Sequence, residues 1–215
     1  MRVHLVALLA VLVLVGCGRA AHEPDRGVYL LLDTSGTSAE ELQRAQQMVN
    51  YYLGVLSVGD SFAVARIDRG SFSERDIIAQ VTFDARPSQM NAQKRGFANV
   101  VDHFISSVES AQYTDISGGL LQAGEYLSAV GAGQKYILIY SDLLEELPEG
   151  HNRDFSYELD GFQVFALNVT QLRAETIDPA LYQARLSDWQ TKVEQGGGQW
   201  QVINDLDRIE ALAFD

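Results

Sequence analysis

The chain has 215 residues, with 16 Lys and Arg against 29 Asp and Glu, a formal net charge of −13 at neutral pH. That acidity excludes a protein that tracks nucleic-acid phosphates, which needs a basic face, and one that docks on anionic lipid through a basic patch. It is compatible with divalent cations or a basic partner. One Cys excludes a disulfide framework within the chain.

The chain opens MRVHLVALLAVLVLVGCGRA. Arg2 supplies a positive start, and Leu5 to Val15 is an unbroken apolar run of eleven residues. A bilayer-spanning helix needs about 20 apolar residues, so the run fits the apolar region of a secretory signal peptide. It ends in Leu14-Val15-Gly16-Cys17, which resembles the lipobox of bacterial lipoproteins. The resemblance implies cleavage after residue 16 and acylation of Cys17. Lipidation also removes the reactive thiol that an exported chain would otherwise expose. An ordinary cleaved signal or a short buried helix is the alternative. Residues 17–27 then read as a lipidated tether. Ten extended residues of it reach roughly 33 Å. Gly18 and Arg19 stand where enterobacterial lipoproteins retained at the inner membrane resemble one another in having Asp. The expectation is therefore an outer-membrane anchor facing the periplasm in a Gram-negative source.

A single domain is expected over residues 28–215. Val28–Leu32 (VYLLL) is a short apolar run that stops at Asp33, the pattern of a central buried strand. Ser38-Ala39-Glu40-Glu41 fits a capping box and opens a helix with Leu42, Ala45, Met48, Val49 and Leu53 at helical spacing. Ser61–Ile67 and Ile77–Phe83 are strands too close together for a crossover helix, so they are expected to be antiparallel, one at the sheet edge. Helices are predicted from Pro87 to about Glu109 and over Ile116–Val130, the latter capped by Thr114-Asp115. Lys135–Tyr140 is a second buried strand, ending at Ser141-Asp142. Leu143–Gly161 reads as an irregular acidic connection with at most one helical turn. A strand at Phe162–Leu167, a helix at Pro179–Gln195, a strand at Gln199–Ile203 and a short helix at Leu206–Ala213 complete the chain. The alternation predicts an α/β fold: a doubly wound, mostly parallel sheet with one antiparallel edge strand and helices on both faces.

Open α/β sheets bind ligands beyond the carboxyl ends of their strands. Asp33-Thr34-Ser35-Gly36-Thr37 follows one buried strand, Ser141-Asp142 follows the other, and Thr114 lies at a helix start. All offer hard oxygen donors, with no His or Cys among them. Such a set suits Mg²⁺, Mn²⁺ or Ca²⁺ rather than Zn²⁺ or copper.

These motifs resemble the metal-ion-dependent adhesion site of von Willebrand factor type A domains: Asp-x-Ser-x-Ser, then a Thr, then an Asp. Asp33, Ser35 and Thr37 match the first element with Thr in place of the last Ser, Thr114 the second, and Asp142 the third. The family usually has Gly after that Asp, where this chain has Leu143. The resemblance covers about residues 27–205. It implies direct ligation by Ser35 and Thr37, ligation by Thr114 directly or through water, and action of Asp33 and Asp142 mainly through water and hydrogen bonds. A cation so weakly neutralised accepts a carboxylate from a protein partner, so the implied function is metal-bridged binding rather than catalysis. Ser, Thr and Asp are also favoured helix caps, and capping without a metal is the competing account of these residues.

Enzymatic readings find less support. LLLDTSGT has Ser35 where an aspartic protease motif needs Gly, and a phosphoryl-transfer Asp-x-Asp-x-Thr fails at the same position. There is no Gly-x-Ser-x-Gly elbow, and Gly196–Gly198 precedes a strand rather than a helix. His103 reads as a surface histidine, and Trp189 and Trp200 as packing residues. His151, Phe155 and Tyr157, in the connection after Asp142, are candidate surface residues for reading a partner. A scaffold or assembly lipoprotein with a vestigial metal site is the alternative function, and a metal-dependent hydrolase a more distant one.

Overall fold

The computed structural model describes residues 25–36, 38–68, 73–153 and 156–205. The expected signal segment, Cys17, most of the tether, Thr37, Phe155 and the expected helix at 206–213 lie outside these residues.

The first strand, β1 (Arg26–Asp33), starts two residues before its expected position. Its register explains the extension: Arg26 pairs with Gln134, and its guanidinium bonds the buried Asp60 carboxylate at 2.7 Å. Helix α1 (Ala39–Val55) follows, opened by the Ser38/Glu41 capping box. Then come β2 (Ser61–Ile67), a 3₁₀ turn (Glu74–Asp76), β3 (Ile77–Thr82) and α2 (Pro87–Ser107). Helix α3 (Ile116–Ala129) is capped by Asp115, whose side chain accepts the Gly118 N–H. The chain continues through β4 (Gln134–Tyr140), β5 (Phe162–Leu167), α4 (Arg173–Ile177), α5 (Pro179–Gln195) and β6 (Gln199–Ile203). The five-residue α4 has no counterpart in the sequence reading, because it is too short to show an apolar period. Among its described residues the connection 143–161 contains no helix; it holds an isolated bridge between Thr114 and Glu146.

The strands form one sheet in the order β3-β2-β1-β4-β5-β6. All neighbours are parallel except β2 and β3, which are antiparallel as expected. Alternate residues of β1 serve opposite faces. Val28, Leu30 and Leu32 pack with Ala45, Met48, Tyr52 and Val101 of α1 and α2. Tyr29 and Leu31 pack with Ile116, Leu120, Trp189 and Val193 of α3 and α5. Both faces are covered, so the strand reads as a continuous apolar run rather than an alternating one. Gly119 lets α3 close on this sheet: a Cβ there would stand 2.9 Å from Leu31 Cδ2. Among the described residues no helix is long and apolar enough to cross a membrane.

Chain order reverses direction across β1, with β2 on one side and β4 on the other. Ligand crevices form at such a switch point. Leu32 is in register with Tyr140, so Asp33 and Ser141 leave the sheet side by side.

Candidate functional site

The crevice between the ends of β1 and β4 encloses about 140 Å³ and is lined by Asp33, Ser35, Glu41, Ser141, Asp142 and Thr170, among others. Asp33 is its buried centre. Its Oδ1 accepts the Ser35 N–H at 2.9 Å and the Ser35 hydroxyl at 2.6 Å. Its Oδ2 accepts the Ser141 hydroxyl at 2.6 Å. The Thr114 hydroxyl donates in turn to Ser35 Oγ at 2.7 Å. A chain of oxygens therefore runs from Ser141 through Asp33 and Ser35 to Thr114, joining three loops that lie up to 108 positions apart in sequence.

Burial pushes the Asp33 carboxyl above its ordinary range. The Ser141 and Ser35 hydrogen bonds pull it back, and the neighbouring Asp142 charge raises it further. Asp142 is half-buried, and its Oδ1 accepts the Leu144 N–H at 2.8 Å. The site thus gathers Asp33, Ser35, Thr114 and Asp142 from the predicted set. Thr37, the fifth, lies outside the described residues.

The turn after Asp142 keeps a glycine-like shape without glycine. Leu143 has φ 66°, in the left-handed region that L-residues enter at a cost. Its side chain is buried, its N–H donates to Ser141 Oγ at 2.9 Å, and its carbonyl accepts the Trp189 indole N–H at 3.0 Å. These contacts hold the strained residue in place.

The helix start that presents Thr114 is also enclosed. Thr114 and Asp115 are buried. The Asp115 carboxylate accepts both the Gly118 N–H, at 2.8 Å, and the Arg153 guanidinium, at 2.7 Å through Nη2. That ion pair raises the already high Arg153 pKa. Sequence reasoning named Asp115 only as a cap and missed Ser141 as a partner of Asp33. It also missed Glu145 and Arg153 altogether, since pairing across 28 to 38 positions leaves no local pattern.

The candidate partner-reading residues separate. His151 is exposed, as expected. Tyr157 is not a surface residue, and the expectation is corrected: it lies in the core beside α3 and α5, with burial pushing its hydroxyl up to about 12. Its ring packs among the buried apolar residues of those helices, and its OH still reaches the Ser117 carbonyl at 3.4 Å. Phe155 is outside the described residues.

A hard divalent cation fits this donor chemistry. The groups are all oxygens, and two carboxylates share the crevice at a cost that a cation would offset. Among the described residues, no group of three or more His, Cys, Asp or Glu is placed to hold an ion.

No protein-family profile and no curated protein sequence matches the chain. Solved structures do. The chain is similar to a von Willebrand factor type A protein from Catenulispora acidiphila, with TM-score 0.52 and 11% identity, over 87% of this chain and 41% of that one. It is similar to the pilus adhesin SpaC from Lactobacillus rhamnosus GG, with TM-score 0.51 and 12% identity, over 88% of this chain and 29% of that one. It is also similar to the manganese-loaded TRAP protein of Plasmodium vivax, with TM-score 0.42 and 12% identity, over 91% of this chain and 65% of that one. The chain spans about two fifths of the Catenulispora protein and under a third of the adhesin. At such identities the likeness speaks to fold. With helices on both faces of a six-stranded sheet that is parallel except at one edge, the chain has the fold of a von Willebrand factor type A domain.

Proposed function

We propose that this protein is a lipid-anchored envelope protein that binds a protein partner through a divalent cation held in the crevice at Asp33. The observation that carries the reading is the continuous oxygen chain Ser141–Asp33–Ser35–Thr114 at the topological switch point. Ser35, Thr37 and Thr114 would supply hydroxyl oxygens to Mg²⁺, Mn²⁺ or Ca²⁺, with Asp33 and Asp142 orienting them and balancing charge. The bound cation would supply an electrophilic centre for a carboxylate of the partner. Asp33 aligns the Ser35 hydroxyl, and Ser141 fixes the far oxygen of Asp33. Each such supporting hydrogen bond sharpens the donor geometry that a cation selects. Cys17 would carry the lipid, and the short tether would hold the crevice within a few nanometres of the membrane, at the outer membrane facing the periplasm in a Gram-negative source. The reading is non-enzymatic.

Titration of the protein with Mg²⁺ or Mn²⁺ by calorimetry tests it. Saturable heat is expected, lost in Asp33→Ala. No heat, and no rise in unfolding temperature with the ion, would sink the metal-bridged reading. An exported protein that carries no acyl group at Cys17, read by mass spectrometry, would sink the anchor.

One observation favours a second reading, a scaffold in which the crevice is purely structural. Ser35 and Thr114 bond each other directly, and together they brace the loop after β1 against the start of α3. The same titration separates the two readings.

A further inference from the structure

The connection 143–153 is tied to the start of α3 at three places. The backbone of Glu146 pairs with Thr114 in both directions, at 2.8 and 3.0 Å. The Glu145 carboxylate accepts the Ser117 N–H at 2.7 Å and its hydroxyl at 3.0 Å. The Arg153 guanidinium bonds Asp115 through Nε at 3.1 Å and Nη2 at 2.7 Å. These ties surround Thr114, the residue whose hydroxyl reaches Ser35. Gly118 makes room for the last tie, since a Cβ there would stand 2.6 Å from Asp115 Oδ2.

From these contacts we propose that Arg153 is a positioning residue of the crevice: through Asp115 it closes the 143–153 strap over the start of α3 and sets where the Thr114 hydroxyl sits. Two-point guanidinium contact fixes orientation as well as distance. Removing Arg153 leaves a buried carboxylate without its counter-ion, which is strongly unfavourable. The strap is held at its other end by the Glu145 and Glu146 ties and by the Trp189 bond to the Leu143 carbonyl. Loss of Arg153 therefore frees the 147–153 end and acts on Thr114 through its chain neighbour Asp115, left without its counter-ion. The inference rests on the proposed function for its metal arm alone.

The experiment compares parent, Arg153→Ala and Arg153→Lys. In metal-free protein, amide hydrogen exchange at Thr114 and Glu146 is expected to quicken in Arg153→Ala at least tenfold more than exchange of the β1 and β4 amides, which report global unfolding. Mn²⁺ affinity, measured by calorimetry where every variant is folded, is expected to weaken about tenfold, as for other supporting-shell residues, and to recover in part in Arg153→Lys. A residue that merely stabilises the fold would lower the unfolding midpoint without moving Mn²⁺ affinity. Parental exchange at Thr114 and Glu146 overturns the inference, and so does quickened exchange with parental Mn²⁺ affinity. If the parent itself takes up no Mn²⁺, the proposed function fails, and the exchange data alone uphold or overturn the strap. If Arg153→Ala does not fold, Arg153→Lys, which keeps the charge beside Asp115 but loses the two-point guanidinium contact, is judged by the same two readouts.

Discussion

Leu143 shows how one residue can hold a shape that glycine usually supplies. Its left-handed backbone costs about 1 kcal/mol, offset by a buried side chain and by the Trp189 and Ser141 hydrogen bonds. Truncating that side chain removes core contacts but leaves the strain, so Leu143→Ala is expected to lose about 2–4 kcal/mol in urea unfolding. Leu143→Gly loses the same contacts but relieves the strain, and is expected to be the milder variant by about 1 kcal/mol. The opposite order would show that φ 66° carries no strain here. The sequence showed a departure from the family's glycine at this position. That the turn survives the departure depends on Trp189, 46 positions away, and no local pattern encodes that contact. Tyr157 teaches the converse: an aromatic residue in an acidic, irregular stretch reads as surface, and only the neighbouring helices reveal the core position that it fills.

Two elements carry the site in different ways. Helix α3 presents Thr114 and is pressed against β1 at Gly119, where a Cβ would meet Leu31 at 2.9 Å. Gly119→Ala therefore has to move the helix or the Leu31 side chain, with an expected loss of about 1–3 kcal/mol. Because the displaced helix carries Thr114, divalent-ion affinity should fall as well, a joint outcome that thermal unfolding and calorimetry on one variant check. Helix α4 is too short to persist by itself and depends on Glu175, whose carboxylate bonds the Arg185 guanidinium at 2.6 and 2.8 Å. The Arg185 hydrogen bonds hold the Glu175 carboxyl below its ordinary range. A depressed carboxyl contributes stability that is present above its unfolded pKa, about 4.3, and is lost as pH falls through the lower folded value. Acid is thus expected to open α4 below about pH 4, seen as faster exchange of its amides. Arg185→Met should open it already at neutral pH and remove the acid step; an α4 equally protected at pH 7 in that variant would refute the dependence. Helices of 14 residues or more were legible in the sequence from their apolar period and caps, whereas α4 exists by a tertiary ion pair.

For the whole molecule, the proposed cation would act as a ligand of the folded state alone. At a hundred times its dissociation constant it would add about 2.7 kcal/mol, roughly 5–10 °C in the unfolding midpoint for a chain of this size, and chelator should reverse the gain. The sequence by itself determined the α/β alternation, the antiparallel pair and the strands that end in Asp33 and at Ser141-Asp142, because apolar runs, caps and short connections are local signals. It also supplied the order of the site motifs. The tertiary structure decided what those motifs touch. The β1–β4 register puts Asp33 beside Ser141, the close approach of α3 brings Thr114 to Ser35, and the 143–153 connection folds back to pair Arg153 with Asp115. Those contacts join residues 38 to 108 positions apart, and their geometry is set by sheet register and helix packing, which depend on both faces of the core at once.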